Sequence, residues 1–184
     1  MLIMFIDIGN TWTQLSYLNS INLIRRHVLP PDNNLCVSGC GIIETADHLF
    51  VGSNFFEKVW SLICHWIGIS FVCSRSINDH FLQFIYLAGM SRSSYIYSKV
   101  IWLASAWAIC KDRNNRVFIN VVINPLNILE KAKLNFFLWF SSNFVPIAFG
   151  FYDWWRHPFL CMGVMQFCFY FLGGGILWFG VMFL

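Results

Sequence analysis

Between residues 54 and 68 apolar side chains recur every three or four positions. Phe55, Phe56, Val59, Trp60, Ile63, Trp66 and Ile67 fall on one stripe, which predicts a helix that Gly68 ends. A second stripe, Val100, Ile101, Ala104, Trp107 and Ala108, predicts a helix over 97–118 with these residues facing inward. It closes on a charged end, Lys111-Asp112-Arg113-Asn114-Asn115-Arg116. Cations in a last helical turn meet the negative end of the macrodipole, so this cluster has a structural reason to exist. Pro125 suits a first helical turn and opens a third predicted helix through Leu126–Phe140. Upstream, Pro30-Pro31-Asp32-Asn33-Asn34 marks a loop, because Pro cannot continue a helix and Asn tolerates turn geometry. Residues 1–20 show no sustained period and stay unassigned.

The end of the chain changes character. From Phe159 to Leu184 no side chain is charged, and Gln166 is the only strongly polar one. About 20 apolar residues cross a bilayer core, so 159–184 is a candidate transmembrane helix. Gly173-Gly174-Gly175 weakens it, although glycine is commoner in membrane helices than in soluble ones. Arg156 stands before the segment and no Lys or Arg follows it, so an inserted tail would leave the preceding chain cytoplasmic. Without insertion the chain is expected to be intracellular. Leu134–Tyr152 is also uncharged, but Asn135, Ser141, Ser142, Asn143 and Pro146 make it a poor second span.

Composition agrees with this division. The 184 residues are 58% hydrophobic and 19% aromatic, with only 11% charged against a usual share of about 25%. The net charge of +3 is mildly basic, compatible with nucleic acid but far from the strongly basic arm that dominates phosphate binding. Seven cysteines are an odd number, and Met1–Ile8 lacks the basic start and small-residue site of a secretion signal. A disulfide framework is therefore not expected, and a reducing compartment is.

The chemistry concentrates in Cys36-Val-Ser-Gly-Cys40-Gly-Ile-Ile-Glu-Thr-Ala-Asp-His48-Leu-Phe-Val-Gly-Ser53, a C-x3-C-x7-H-x4-S pattern. Zinc takes four ligands in a tetrahedron, and thiolate with imidazole satisfies it from short loops. Cys36 and Cys40, with Gly39 and Gly41 relaxing the backbone, form a knuckle-like pair, and His48 offers imidazole. Ser53 stands where a fourth ligand is expected, and a neutral hydroxyl replaces a thiolate poorly. Cys64 and His65 are the nearest substitutes in sequence. Read without wider context, such cysteines also fit as small buried apolar groups. An open three-ligand site is the geometry of catalytic zinc, but Glu44 and Asp47 are the only nearby acids and neither is placed as a general base.

Taken together, Leu23-Ile-Arg-Arg26, Cys36 and Cys40, Glu44-Thr-Ala-Asp-His-Leu-Phe50 and Trp60 resemble the reverse transcriptase zinc-binding domain of plant non-LTR (LINE-type) retrotransposons. Ile101-Trp-Leu-Ala104, Trp107 and Arg113-Asn-Asn-Arg-Val-Phe118 resemble the helical segment that follows it. The similarity covers 21–120, with a weaker helical extension over 121–158. It implies a mainly α fold, a small helical domain with a zinc-knuckle-like loop, and Cys36, Cys40 and His48 as zinc ligands. Ser53 occupies the position of the family's last Cys, which marks the chain as a degenerate fragment of that domain. Glu44 and Thr45 are expected to cap or hydrogen-bond the loop, and Phe50 and Trp60 to be core. The ancestral role implied is engagement of RNA or DNA, with Arg25, Arg26, Lys111, Arg113 and Arg116 as the electrostatic contacts. No small-molecule substrate is implied. Clustered carboxylates of the kind that hold two metal ions for phosphoryl transfer are absent, so polymerase, endonuclease and RNase H chemistry are excluded and no catalytic residue is expected. The competing reading is a small single-span membrane protein anchored by 159–184.

Overall fold

The structure, a computed structural model, describes residues 19–70, 74–86, 95–143 and 149–162. Helix α1 spans Ser20–Arg25, a single π turn spans His48–Gly52, and α2 runs over Asn54–Ile67. Helices α3 (Ile77–Tyr86), α4 (Tyr95–Ile119), α5 (Pro125–Asn143) and α6 (Phe151–Arg156) follow. The protein is thus mainly α, and among the described residues the only β pairing is one antiparallel bridge between Leu35 and Ile43.

The two helices expected from the apolar stripes are present as α2 and α4, and the one expected to open at Pro125 is present as α5. On α2, Phe56, Val59, Trp60, Ile63, Cys64 and Ile67 are buried, and Gly68 closes the helix in the left-handed conformation with its N–H on the His65 carbonyl. Helix α4 is buried on almost every side from Tyr97 to Arg113, the pattern of a central helix. Trp107 is a correction to the inward set: at 37% exposure it stands at the rim, between buried Ala106 and Ala108. Helix α5 packs along α4 and against α2, while α3 covers the other flank of α4.

Aromatic rings fill the spaces between these helices. Trp60 of α2 stacks on Trp102 of α4 at 5.7 Å, with His80 of α3 against it at 4.4 Å. Tyr97, Phe140, Phe136 and Trp154 form a second stack that joins α4, α5 and α6. Among the described residues the buried indole N–H groups are all engaged: Trp60 Nε1 donates to the Phe50 carbonyl at 2.8 Å, Trp102 Nε1 to His80 Nδ1 at 3.0 Å and Trp154 Nε1 to the Lys133 carbonyl at 3.3 Å. Phe50 and Trp60 are therefore core, at 0% and 1% exposure.

Among the described residues no helix is long and apolar enough to cross a membrane. Most of the candidate span 159–184 and nearly all of the unassigned segment 1–20 lie outside the described residues.

Candidate metal centre

The loop before α2 folds as a short hairpin. The Cys36 N–H donates to the Ile42 carbonyl at 2.8 Å, and the Glu44 N–H to the Asn34 carbonyl at 2.9 Å, with the Leu35–Ile43 bridge between them. To turn back within so few residues the chain takes positive φ on both sides of Cys40, +78° at Gly39 and +75° at Gly41. Side chains with a Cβ rarely adopt that region, so the Gly-Cys-Gly sequence is what presents the Cys40 thiol at the tip. Thr45 Oγ1 accepts the His48 N–H at 3.0 Å, which starts the π turn carrying the imidazole. At Gly52 a Cβ would come within 3.0 Å of His48 Nδ1, so glycine leaves room for the ring.

The result is one group of three donors. Cys36 Sγ, Cys40 Sγ and a ring nitrogen of His48 all lie within 4.8 Å of one another, the only such cluster of His, Cys, Asp and Glu among the described residues. Cys40 Sγ and His48 Nε2 are 3.1 Å apart. A tetrahedral zinc with bonds near 2.0–2.3 Å separates its ligand atoms by roughly 3.5–3.8 Å, so a small relaxation admits an ion. Donor chemistry fits as well, two thiols and an imidazole being a preferred zinc set.

The two thiols differ electrostatically. Burial pushes Cys36 upward, against its hydrogen bonds to Ser38. The Ile42 backbone N–H, then the Ser38 hydroxyl and more weakly His48, hold Cys40 near 6, against an ordinary 9.0. Cys40 is exposed and Cys36 buried, so the group opens to solvent on one side.

Ser53 lies at the start of α2, fully buried, and its hydroxyl makes neither a helix-cap bond nor any other hydrogen bond. Such an orphaned polar atom is uncommon in folded proteins and calls for a reason. Cys64 does not join the cluster: it is buried in the core, and desolvation pushes it up to about 12. His65 is exposed and also outside it. Asp47 accepts the Ile77 N–H at 2.8 Å and so serves the start of α3.

The five expected nucleic-acid contacts separate. Arg25, Arg26 and Lys111 are exposed. Arg113 is not on the surface: at 0% exposure it pairs with Glu44, also at 0%, through Nη2 at 2.8 Å and Nε at 3.0 Å. Arg116 is likewise turned inward, paired with Asp112 at 2.6 Å and lying 4.0 Å over the Phe55 ring. Both corrections have one cause: the last turns of α4 pack under the hairpin and α2, where a cation needs an internal partner. Glu44 thus does more than cap the loop, and its partnership with Arg113 bridges 69 residues of sequence, beyond any local pattern. Buried Ser20 completes the arrangement, its hydroxyl donating to Glu44 at 2.8 Å and accepting from Arg113 at 2.8 Å. Set beside known protein families, curated proteins and solved structures, the chain matches none.

Proposed function

We propose that this protein is a non-catalytic binding module, a degenerate counterpart of the zinc-binding domain of LINE-type reverse transcriptases. In this reading Cys36, Cys40 and His48 hold zinc, and the hairpin with its basic neighbours engages RNA or DNA. The observation that carries it is the convergence of those three side chains, from a C-x3-C-x7-H spacing, onto one point. Ser53, buried with its hydroxyl unpartnered, stands where the resembled family has its last Cys, the residue that would complete the four ligands a structural zinc site normally has. Bound there, zinc would act as a cross-link, holding the hairpin tip to the π turn and leaving one coordination position to water.

The nucleic-acid part rests on Arg25, Arg26 and Lys111, because Arg113 and Arg116 are internally paired. Filter binding of the full chain to single-stranded RNA, with and without zinc, tests both parts. Three phosphate contacts give a slope of log affinity against log salt of about −2 on a single strand. Arg25→Ala with Arg26→Ala should flatten it. Retention that depends on neither zinc nor these arginines would remove the nucleic-acid role.

A further inference from the structure

We propose that Glu44 is a positioning residue of the metal centre, holding the Cys36 side of the hairpin in register by anchoring it to α4 through Arg113. Its effect on metal affinity rests on the zinc reading above, whereas the anchoring itself does not.

The carboxylate joins three separate pieces of chain. Glu44 Oε1 accepts the Ser20 N–H at 2.9 Å and the Ser20 hydroxyl at 2.8 Å, at the start of α1. The same oxygen takes Arg113 from α4. Oε2 faces the N–H of Val37 at 3.4 Å, the residue next to Cys36. On the other side of Glu44, Thr45 sets the His48 backbone. Two of the three metal donors are thus one residue, or one hydrogen bond, from this carboxylate and its neighbour.

Stability alone does not explain such a pair. Well-packed apolar residues in place of a buried ion pair are often neutral or stabilising, because desolvation offsets the attraction. An apolar pair cannot satisfy the Ser20 and Val37 amides, and cannot fix a hairpin relative to a helix by direction. Glu44 and Arg113 do both. The two stretches that stand out in the sequence, Glu44–Phe50 and Arg113–Phe118, meet at this one contact. They act as one device, the second setting the frame in which the first presents its donors. Outer groups that orient metal ligands typically change affinity ten- to a hundredfold when removed.

The test uses the full chain and Co2+ as the probe, with Zn2+ as competitor. Glu44→Gln keeps an acceptor but removes the charge. Ser20→Ala is the mild variant, to be read if Glu44→Gln does not fold. Phe140→Ala, which opens the aromatic stack on α5, is the destabilised control. Glu44→Gln should raise the Co2+ Kd about ten- to a hundredfold and Ser20→Ala less. Phe140→Ala should leave it within about twofold despite a lower melting temperature, as for sites that do not interact. Hydrogen exchange in the metal-free chain gives a second readout, at the Cys36 and Gly39 amides that close the hairpin. Both should exchange faster in Ser20→Ala than in Phe140→Ala. Unchanged affinity and unchanged exchange in Ser20→Ala and Glu44→Gln would overturn the proposal, as would equal losses in the control. If the unmodified chain itself fails to bind Co2+, the zinc reading falls, and the exchange comparison alone decides the anchoring.

Discussion

Cys40 and Ser53 are the residues whose chemistry bears most on the proposed metal centre. With its thiol held near 6 by the Ile42 N–H and then Ser38, exposed Cys40 is largely thiolate at neutral pH. Desolvation pushes Cys64 and Cys110 up to about 12 and Cys161 to about 11, so these stay protonated. Iodoacetamide should therefore modify Cys40 before Cys36, Cys64, Cys110 or Cys161, and zinc should protect it. Peptide mapping by mass spectrometry checks the order, and early labelling of Cys64 or Cys110 would contradict the burial argument. At Ser53 a buried hydroxyl without a partner costs about 1–3 kcal/mol, so Ser53→Ala should stabilise the fold in a denaturant titration. Ser53→Cys should instead raise zinc affinity sharply; a zinc titration equal to that of the unmodified chain would mean that position 53 does not face the ion. Cys36, Cys40 and His48 were legible from spacing because all three lie within one loop. Arg113 was not legible, because a cation near a helix end reads the same whether it faces water or a carboxylate 69 residues away.

At the scale of elements, the apolar stripes located α2 and α4 because each is long enough for a period to repeat, and Pro125, suited to a first helical turn, located α5. Helices α1 and α6 have six residues each, too few for a stripe to declare itself. Helix α3 was hidden differently: its inner face includes His80, a residue that pattern reading counts as polar. Here His80 is core, taking the Trp102 indole N–H at Nδ1 and lying against Trp60. Desolvation lowers it from 6.5 to about 4. The folded state thus favours the neutral ring, and the stability it contributes is whole above pH 6.5. It is lost as pH falls from 6.5 towards 4, by up to about 3 kcal/mol at 1.36 kcal/mol for each unit. Urea titrations between pH 7 and 4.5 should show this decline, and His80→Gln, which can still accept from the indole, should flatten it. A decline of equal steepness in His80→Gln would place the acid sensitivity elsewhere.

For the molecule as a whole, the sequence announced a mainly α body, and the described residues bear this out. Less visible beforehand was how the body and the hairpin are joined. Removing one member of a buried ion pair costs about 3–5 kcal/mol, a large share of the 5–15 kcal/mol that holds a typical domain folded. Arg113→Met should therefore lower the urea midpoint strongly, while Lys111→Met, at an exposed position two residues earlier, should leave it nearly unchanged. Equal midpoints for the two variants would mean that the pair does not form in solution. The heavy aromatic content has its place in the same body, since the two ring stacks occupy the seams among α2 to α6. The metal centre rests on three donors, two on the hairpin and one on the π turn, and cobalt spectroscopy of the full chain is its decisive test. One equivalent of Co2+ should give the visible bands of a tetrahedral site with thiolate charge transfer, displaced by Zn2+ and lost in Cys40→Ser and in His48→Ala. No such spectrum, or one that survives both substitutions, would contradict a metal centre at Cys36, Cys40 and His48.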